Sequence, residues 1–166
     1  MKKILCLLFV LEAVFFCSCE MPVGMKELLA YQEEGFICEA VLDGEKEVEL
    51  YILCADGKIT VKPSGMEYLG DTEFIFSGKE AWLSSDGLKI AIDKTKLQSL
   101  YTVYEMFTLD TSKTWRITKE KLGGIDIYKC ISDDFTVYID AKTRLPLKFS
   151  GKGQMLDVKS MEIDEK

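Results

Sequence analysis

The chain has 166 residues, of which 48% are hydrophobic and 30% are charged, a composition typical of one folded domain. It contains no histidine, which excludes histidine-dependent catalytic triads, imidazole general bases and histidine-ligated metal sites. Its net charge of −7 argues against binding to nucleic acid, because phosphate backbones require clustered lysine and arginine.

The first eighteen residues predict an export signal. Two lysines precede an apolar run over residues 4–16, and small residues follow it. This order is that of the three regions of a secretory signal peptide. A membrane-spanning helix would need roughly 20 apolar residues, whereas this run is shorter and contains Glu12. Residues 1–18 are therefore interpreted as a signal peptide, and the mature protein is expected outside the cytoplasm.

The end of this segment reads Phe16-Cys17-Ser18-Cys19. It resembles the lipobox of bacterial lipoproteins, in which a small residue precedes a cysteine that is diacylated and becomes the N-terminus. The resemblance implies a diacylglycerol and palmitate anchor on Cys19, a tether over residues 19–24, and attachment to the extracytoplasmic or periplasmic face of a bacterial membrane. Phe16 stands where the family usually has leucine. The alternative is ordinary secretion, with Cys19 as a free thiol.

Residues 25–166 are expected to form one domain. Apolar residues at helical spacing predict a short helix over residues 25–32, which ends before Gly35. From Phe36 onward the apolar spacing changes to two, and turn residues recur at intervals of roughly eight to twelve residues. This pattern predicts an antiparallel meander, with strands over residues 36–42, 48–54, 58–62, 73–76, 81–83 and 88–92.

The first hairpin also suggests how the cysteines are arranged. A three-residue turn would place Leu42 opposite Lys46, and Cys38 opposite Leu50. Cys38 and Cys54 would then be about 13 Å apart along the ladder, at about 3.3 Å per residue, which is too far for a disulfide. They are interpreted as buried thiols. With Cys130 they form an odd, widely spaced set, which is not a disulfide framework.

A helical insertion over residues 93–107 interrupts the meander. Asp93 is the predicted N-cap. Apolar residues follow it at i, i+3, i+4 and i+7, and they define a stripe on one helix face: Leu97, Leu100, Tyr101 and Tyr104.

Strands resume over residues 114–118, 125–131, 135–139, 145–149 and 155–163. Pro146 lacks a backbone donor, so its strand is expected to lie at an edge or to begin there. The complete pattern predicts a mainly β (α+β) fold with a single antiparallel sheet, a short N-terminal helix and the helical insertion.

Residues 135–149, FTVYIDAKTRLPLKF, contain a strand, an Asp-containing turn, a Leu-Pro pair and a returning strand. This stretch and the order of the elements resemble the LolA/LolB-like lipoprotein-carrier superfamily. The resemblance implies a strongly curved, incomplete β-barrel with helices against its concave side. In the carriers, the space between sheet and helices receives acyl chains, and an arginine on an early strand holds the lid. Residues 36–92 contain no arginine here, and other superfamily members look like anchored protein-binding modules.

Two functional hypotheses follow. In the first, the stripe roofs a cavity and Leu97, Leu100, Tyr101 and Tyr104 bind a hydrophobic ligand such as a lipid or acyl chain. A filled interior would argue against it, and simple packing of the helix on the sheet is the other interpretation of the stripe. In the second, the protein is an anchored module that contacts another envelope protein through sheet edges or helices, without a ligand cavity.

Neither hypothesis includes catalysis, a cofactor or a metal ion. Glu45, Glu47 and Glu49 alternate with apolar residues, as on the solvated side of a strand. The aspartates lie near turns, and no loop has EF-hand spacing. A hydrolase with two carboxylates remains an alternative, although nothing marks a pair. Trp82 and Trp115 could stack on sugars, or they could serve packing alone.

Overall fold

The computed structural model describes residues 23–44, 46–65 and 69–164. The predicted signal peptide, Cys19 and residues 20–22 of the predicted tether lie outside these ranges, as does Glu45. Within the described ranges, no helix has both the length and the apolar character needed to cross a bilayer.

Eleven antiparallel strands form one curved, unclosed sheet in the order β6-β5-β4-β3-β2-β1-β11-β10-β9-β8-β7. The strands are β1 (Gly35–Asp43), β2 (Val48–Ala55), β3 (Lys58–Pro63), β4 (Glu73–Ser77), β5 (Glu80–Ser85), β6 (Leu88–Ala91), β7 (Arg116–Leu122), β8 (Ile125–Ile131), β9 (Phe135–Asp140), β10 (Pro146–Gly151) and β11 (Gln154–Asp164). The edge strands β6 and β7 do not pair with each other, so the barrel is incomplete. The predicted fold class is confirmed.

The helices lie where the sequence predicts them. Helix α1 (Met25–Leu28) continues into a 3-10 turn (Ala30–Glu33), and a second 3-10 turn (Lys94–Leu97) leads into helix α2 (Gln98–Phe107). The Asp93 carboxylate accepts a hydrogen bond of 3.0 Å from the backbone N–H of Thr95. The cap is therefore at the predicted residue, although the first turn after it is 3-10 rather than α.

The core lies between the concave face of the sheet and α2. Alternate residues of β1 point inward, as a strand with one buried face requires. Phe107 of α2 is 1% exposed, and its ring centre lies 5.2 Å from that of Phe36 and 4.8 Å from that of Phe149. Helix α2 thus joins β1 and β10 through aromatic packing.

The first hairpin differs from the predicted register. Cys38 pairs with Ile52 and Phe36 with Cys54, because five residues rather than three connect Leu42 to its partner Val48. The shift is by two, so the apolar faces still coincide and the alternation could not reveal it. Cys38 and Phe36, the partner of Cys54, are therefore two residues apart along β1. Cys38, Cys54 and Cys130 are all free. Cys38 is buried as predicted, whereas Cys54, which was also predicted to be buried, is only half-buried because it lies near the end of β2.

The structure also determines two strand boundaries that the sequence had misplaced or left open. Strand β7 runs from Arg116 to Leu122, beyond the predicted 114–118, because its polar second half pairs fully with β8. Pro146 begins β10, which lies between β9 and β11. Of the two predicted places for this proline, the start of a strand is the one found.

Candidate functional site

The stripe begins at Leu97 in the 3-10 turn and continues on α2, where Tyr101 and Tyr104 face β4. All four of its residues are half-buried and pack against the core: Leu97, Leu100, Tyr101 and Tyr104. The rings of Tyr101 and Tyr104 stack with centres 5.4 Å apart, and their centres lie 6.0 and 5.8 Å from that of Phe76 on β4. The structure therefore brings the predicted residues together as part of the packing between helix and sheet.

Both tyrosine hydroxyls make hydrogen bonds to neighbouring segments, an exposed one for Tyr104 and a partly buried one for Tyr101. The Tyr104 hydroxyl accepts a hydrogen bond of 2.9 Å from the backbone N–H of Gly78, in the β4–β5 turn. The Tyr101 hydroxyl accepts one of 3.0 Å from Lys94 Nζ, which also lies 4.4 Å from the centre of the same ring. These contacts use the polar ends of two otherwise apolar side chains.

The last turn of α2 is tied to another part of the sheet. Lys152 Nζ, in the β10–β11 turn, donates to both carboxylate oxygens of Glu105 at 2.7 Å. The helix is therefore attached by polar contacts at the β4–β5 turn and at the β10–β11 turn. Between these points its apolar side chains occupy the concave side of the sheet.

The interior beneath α2 is filled. Large side chains with 0–1% exposure meet there from helix and sheet: Phe36, Phe76, Met106, Phe107 and Phe149. Open grooves of about 620, 430, 220 and 120 Å³ lie elsewhere on the described residues, and the stripe residues line none of these four. In this conformation the stripe covers packed side chains rather than a cavity. A filled interior of this kind argues against the first hypothesis, in which the stripe binds a hydrophobic ligand.

The edge strand β6 presents apolar side chains to solvent. Leu88 and Ile90 are 69% and 57% exposed, and they share the concave face with Leu83, which pairs with Ile90. On the opposite face, Lys89 Nζ lies 4.4 Å from the centre of the Trp82 ring. The sequence predicted a strand here, but only the strand order identifies it as an uncovered edge.

The buried thiols are poor nucleophiles. Burial raises the pKa of Cys38 and of Cys130 to about 12, and it raises the pKa of Cys54 as well. These thiols are protonated at neutral pH, whereas the thiolate is the reactive form. Among the described residues, no group of three or more cysteines and carboxylates is placed to hold a metal ion.

The two tryptophans lie near opposite edges of the sheet. Trp82 belongs to β5, and Trp115 precedes β7. The Trp115 indole N–H donates a hydrogen bond of 3.0 Å to the backbone oxygen of Asp110, and its ring packs against the core. A platform of two stacked rings for a sugar would require them side by side, and the fold does not place them on adjacent strands.

No protein-family model and no curated protein sequence matches the chain. A conserved, uncharacterised protein from Thermus thermophilus is structurally similar, with a TM-score of 0.57 and 13% identity over 85% of this chain and 88% of its own. A LolA superfamily protein from Nitrosomonas europaea has a TM-score of 0.42 and 8% identity over 87% of this chain and 95% of its own. For lipoprotein LppX from Mycobacterium tuberculosis, the values are 0.37 and 10%, over 86% and 98%. The first likeness shows a shared fold.

Proposed function

We propose that this chain is a non-enzymatic, membrane-anchored lipoprotein outside the cytoplasm, and that its half-barrel binds another envelope protein through β6. One observation carries the proposal: the concave interior is packed, while Leu88 and Ile90 are exposed on an unpaired edge strand. Folded proteins usually cover such an edge or protect it with charge. Strand β6 is short and carries Lys89, which are protections of this kind, but its concave face is apolar and open, and that face is suited to a partner.

Strand addition is the binding mode that fits this edge. An extended segment would pair with the outward-facing backbone groups of β6, and its alternate side chains would contact the two faces of the sheet. It would meet Leu88 and Ile90 on the concave face and Lys89 on the other. The expected partner segment therefore alternates apolar with acidic residues.

The available side-chain chemistry supports a non-catalytic role. The chain lacks histidine, and burial keeps the Cys38 and Cys130 thiols protonated. Glu47 and Glu49 are exposed, as expected for the solvated side of β2 and the turn before it. A protein-binding module needs neither an imidazole group nor a reactive thiol.

Binding of an acyl chain beneath α2 is the second candidate, and the half-burial of the stripe favours it. A ligand between sheet and helix would contact Leu100 and Tyr104 only after α2 moved away from Phe76. Such a movement would break the Tyr104–Gly78 hydrogen bond and the Glu105–Lys152 ion pair. This candidate therefore requires an opened state of the half-barrel.

Site-specific cross-linking from β6 tests the protein-binding proposal. A photoreactive amino acid replaces Lys89 in the full chain, which is expressed in its native membrane. We expect one cross-linked product of fixed mass, and we expect the additional change Ile90→Lys to remove it, because a charge on the edge opposes strand pairing. The same label at Lys159, an exposed residue of β11, is the matched control and should give no such product.

Both substitutions lie at exposed positions, so stability should stay within about 0.5 kcal/mol of wild type. Equal products from both labelled positions, or a product that survives Ile90→Lys, would contradict binding through β6. A product of twice the chain's own mass would identify the partner as a second copy.

A further inference from the structure

Part of β11 has a free edge inside the sheet. The strand is 11 residues long, but β10 pairs only with its residues 154–157. The last residues pair with β1 on one side, from Ser160 opposite Glu39 to Asp164 opposite Gly35. On their other side, no backbone hydrogen bond joins residues 160–164 to any part of the chain that the structure describes. We call residues 160–164 the β11 edge.

The β11 edge alternates apolar and acidic residues. Met161 and Ile163 pack against the core and therefore lie on the concave face. Glu162 lies between them in sequence and is exposed on the convex face. This is the alternation that a segment bound to β6 is expected to have.

On β6, the backbone groups of Lys89 and Ala91 point away from the sheet. The N–H of Ile92 donates a hydrogen bond of 2.9 Å to the backbone oxygen of Ala81 on β5. In an antiparallel pair, residues that bond to the neighbouring strand alternate with residues that do not. Ile90 therefore bonds to β5, whereas Lys89 and Ala91 face the open edge.

On β11, the outward backbone groups belong to Met161 and Ile163. The N–H of Ser64 donates a hydrogen bond of 2.7 Å to the backbone oxygen of Glu49, so the odd-numbered residues of β2 bond to β3. The register carries this alternation from β2 through β1 to β11, and it assigns the bonds with β1 to Glu162. The two neighbours of Glu162 in sequence therefore face the open side.

These patterns fit a parallel pair between β6 and the β11 edge of another copy of the chain. In a parallel pair, a residue bonds to the two residues that flank its lateral neighbour, and lateral neighbours share a face. Lys89 would bond to the backbone of Met161 and Ile163 of the second copy. Its ammonium group would lie beside Glu162 of that copy, and Leu88 and Ile90 would lie beside Met161 and Ile163. An antiparallel pair would instead set Lys89 opposite an apolar residue.

Parallel pairing also gives the two copies the same orientation. Strand β11 ends at Asp164, opposite Gly35, where β1 begins. Because the strands from β1 to β6 alternate in direction, β6 ends at this same end of the sheet. The start of the domain, and the lipid proposed on Cys19, therefore lie on the same side of both copies, as attachment to one membrane requires.

The edge strand β7 suits β6 less well. Lys119 pairs with the core residue Tyr128, so Lys119 and Lys121 belong to the concave face of β7. In a sheet continued from β6 to β7, these two lysines would meet the apolar residues of β6. The β11 edge offers apolar residues on this face and a carboxylate on the other.

We infer that β6 of one copy binds the β11 edge of a second copy in parallel, so that anchored copies pair head to tail. Such a pair is heterologous, because each copy contributes a different surface. The inference rests on the proposed function, since it names the envelope protein bound by β6 as a second copy of this chain.

Disulfide trapping between two single variants tests the inference. Cells make two full chains with different tags, one with Lys89→Cys and one with Glu162→Cys, and their membranes are treated with a mild oxidant. Neighbouring strands are about 4.8 Å apart, a Cα separation that a disulfide can bridge. We expect a linked species of twice the chain's mass when both variants are present. Neither variant alone should give it, because equal positions of the two copies do not meet in a head-to-tail pair.

Lys159→Cys in place of Glu162→Cys is the matched control. The Lys159 side chain lines a groove over β1 and β2 with Tyr51 and Ser64, so it lies on the side of β11 away from the open edge. It should not link to Lys89→Cys. A linked species from Lys89→Cys alone would indicate that β6 pairs with β6, and an equal yield from the control would indicate random collision. Either result would overturn the inference.

Charge exchange tests the same contact without cysteines. In the chain from residue 19 onward with Cys19→Ser, Lys89→Glu or Glu162→Lys alone should raise the dissociation constant of self-association about fivefold, because like charges side by side destabilise strand pairing. The two changes in one chain should restore it. Sedimentation equilibrium measures all four proteins, and a double variant no better than the single ones would contradict the inferred contact.

The outcomes separate this inference from the proposed function. A cross-linked product from residue 89 whose mass is not twice that of the chain would overturn the second copy and leave binding through β6 intact. The absence of any product from residue 89 would refute both. An unmodified Cys19 in cells would refute the anchoring alone, because pairing of the soluble chain does not depend on it.

Discussion

Replacing Phe107 with alanine should lower the free energy of unfolding by about 3–5 kcal/mol, the usual cost of truncating a buried phenylalanine. The Phe107 ring packs between those of Phe36 and Phe149 and is 1% exposed. Its loss would leave a cavity where α2 crosses the sheet, and neighbouring aromatic rings on separate strands could close it only in part. Urea unfolding followed by far-ultraviolet circular dichroism measures the change.

The exposed substitution Leu88→Ala is the control, and it should change stability by no more than about 0.5 kcal/mol. A cost below about 1 kcal/mol for Phe107→Ala would mean that α2 does not pack tightly on the sheet. The interior would then be open, and the acyl-ligand candidate would become the better one.

Replacing Cys19 with serine should move the protein from the membrane fraction to the soluble fraction outside the cytoplasm. Two acyl chains on one residue suffice for stable anchoring, and serine offers no thiol for their attachment. Fractionation of cells that express the full chain, with intact mass measurement of the membrane-bound form, follows both the location and the lipid mass.

Cys17→Ser is the matched control for this experiment, since Phe16 rather than a small residue precedes Cys17. It should leave the protein on the membrane. A soluble wild-type protein that lacks the lipid mass would identify ordinary secretion. Loss of the protein from the membrane in Cys17→Ser but not in Cys19→Ser would place the lipid on Cys17.

The elements of the fold were predictable because local chemistry determines them. Apolar residues at every second position marked the strands, and turn residues separated them. Asp93 marked the beginning of the helical insertion because a side-chain oxygen can satisfy a free backbone N–H at a helix start. The stripe was predictable for the same reason, as residues at helical spacing share one face.

Long-range relations were not predictable from these patterns. A register shifted by two keeps every side chain on its face, so the pairing of Cys38 with Ile52 rather than Leu50 leaves no signal in the alternation. Likewise, the periodicity of the stripe is the same whether it roofs a cavity or packed side chains. The volume filled by Phe36, Phe107 and Phe149 depends on strands that are distant in sequence.

The candidate sites required the strand order. Leu88 and Ile90 resemble the residues of any strand until the order of the sheet shows that β6 is an edge. Two whole strands, β8 and β9, separate Lys121 from Arg144 in sequence, and both residues line one groove only because the β7–β8 and β9–β10 turns lie at the same end of the sheet. Sequence spacing alone offers no way to group them.

The most direct test of the central claim, a half-barrel whose interior is packed and holds no acyl chain beneath α2, is native mass spectrometry. The chain from residue 19 onward with Cys19→Ser would be purified from a bacterial periplasm, and its mass compared with that of a variant carrying Leu100→Gln and Tyr104→Gln. The account predicts a parent chain with no added mass and a variant that is only less stable. A stoichiometric co-purifying lipid that is lost from a folded variant would contradict it and would place an acyl-chain site beneath α2.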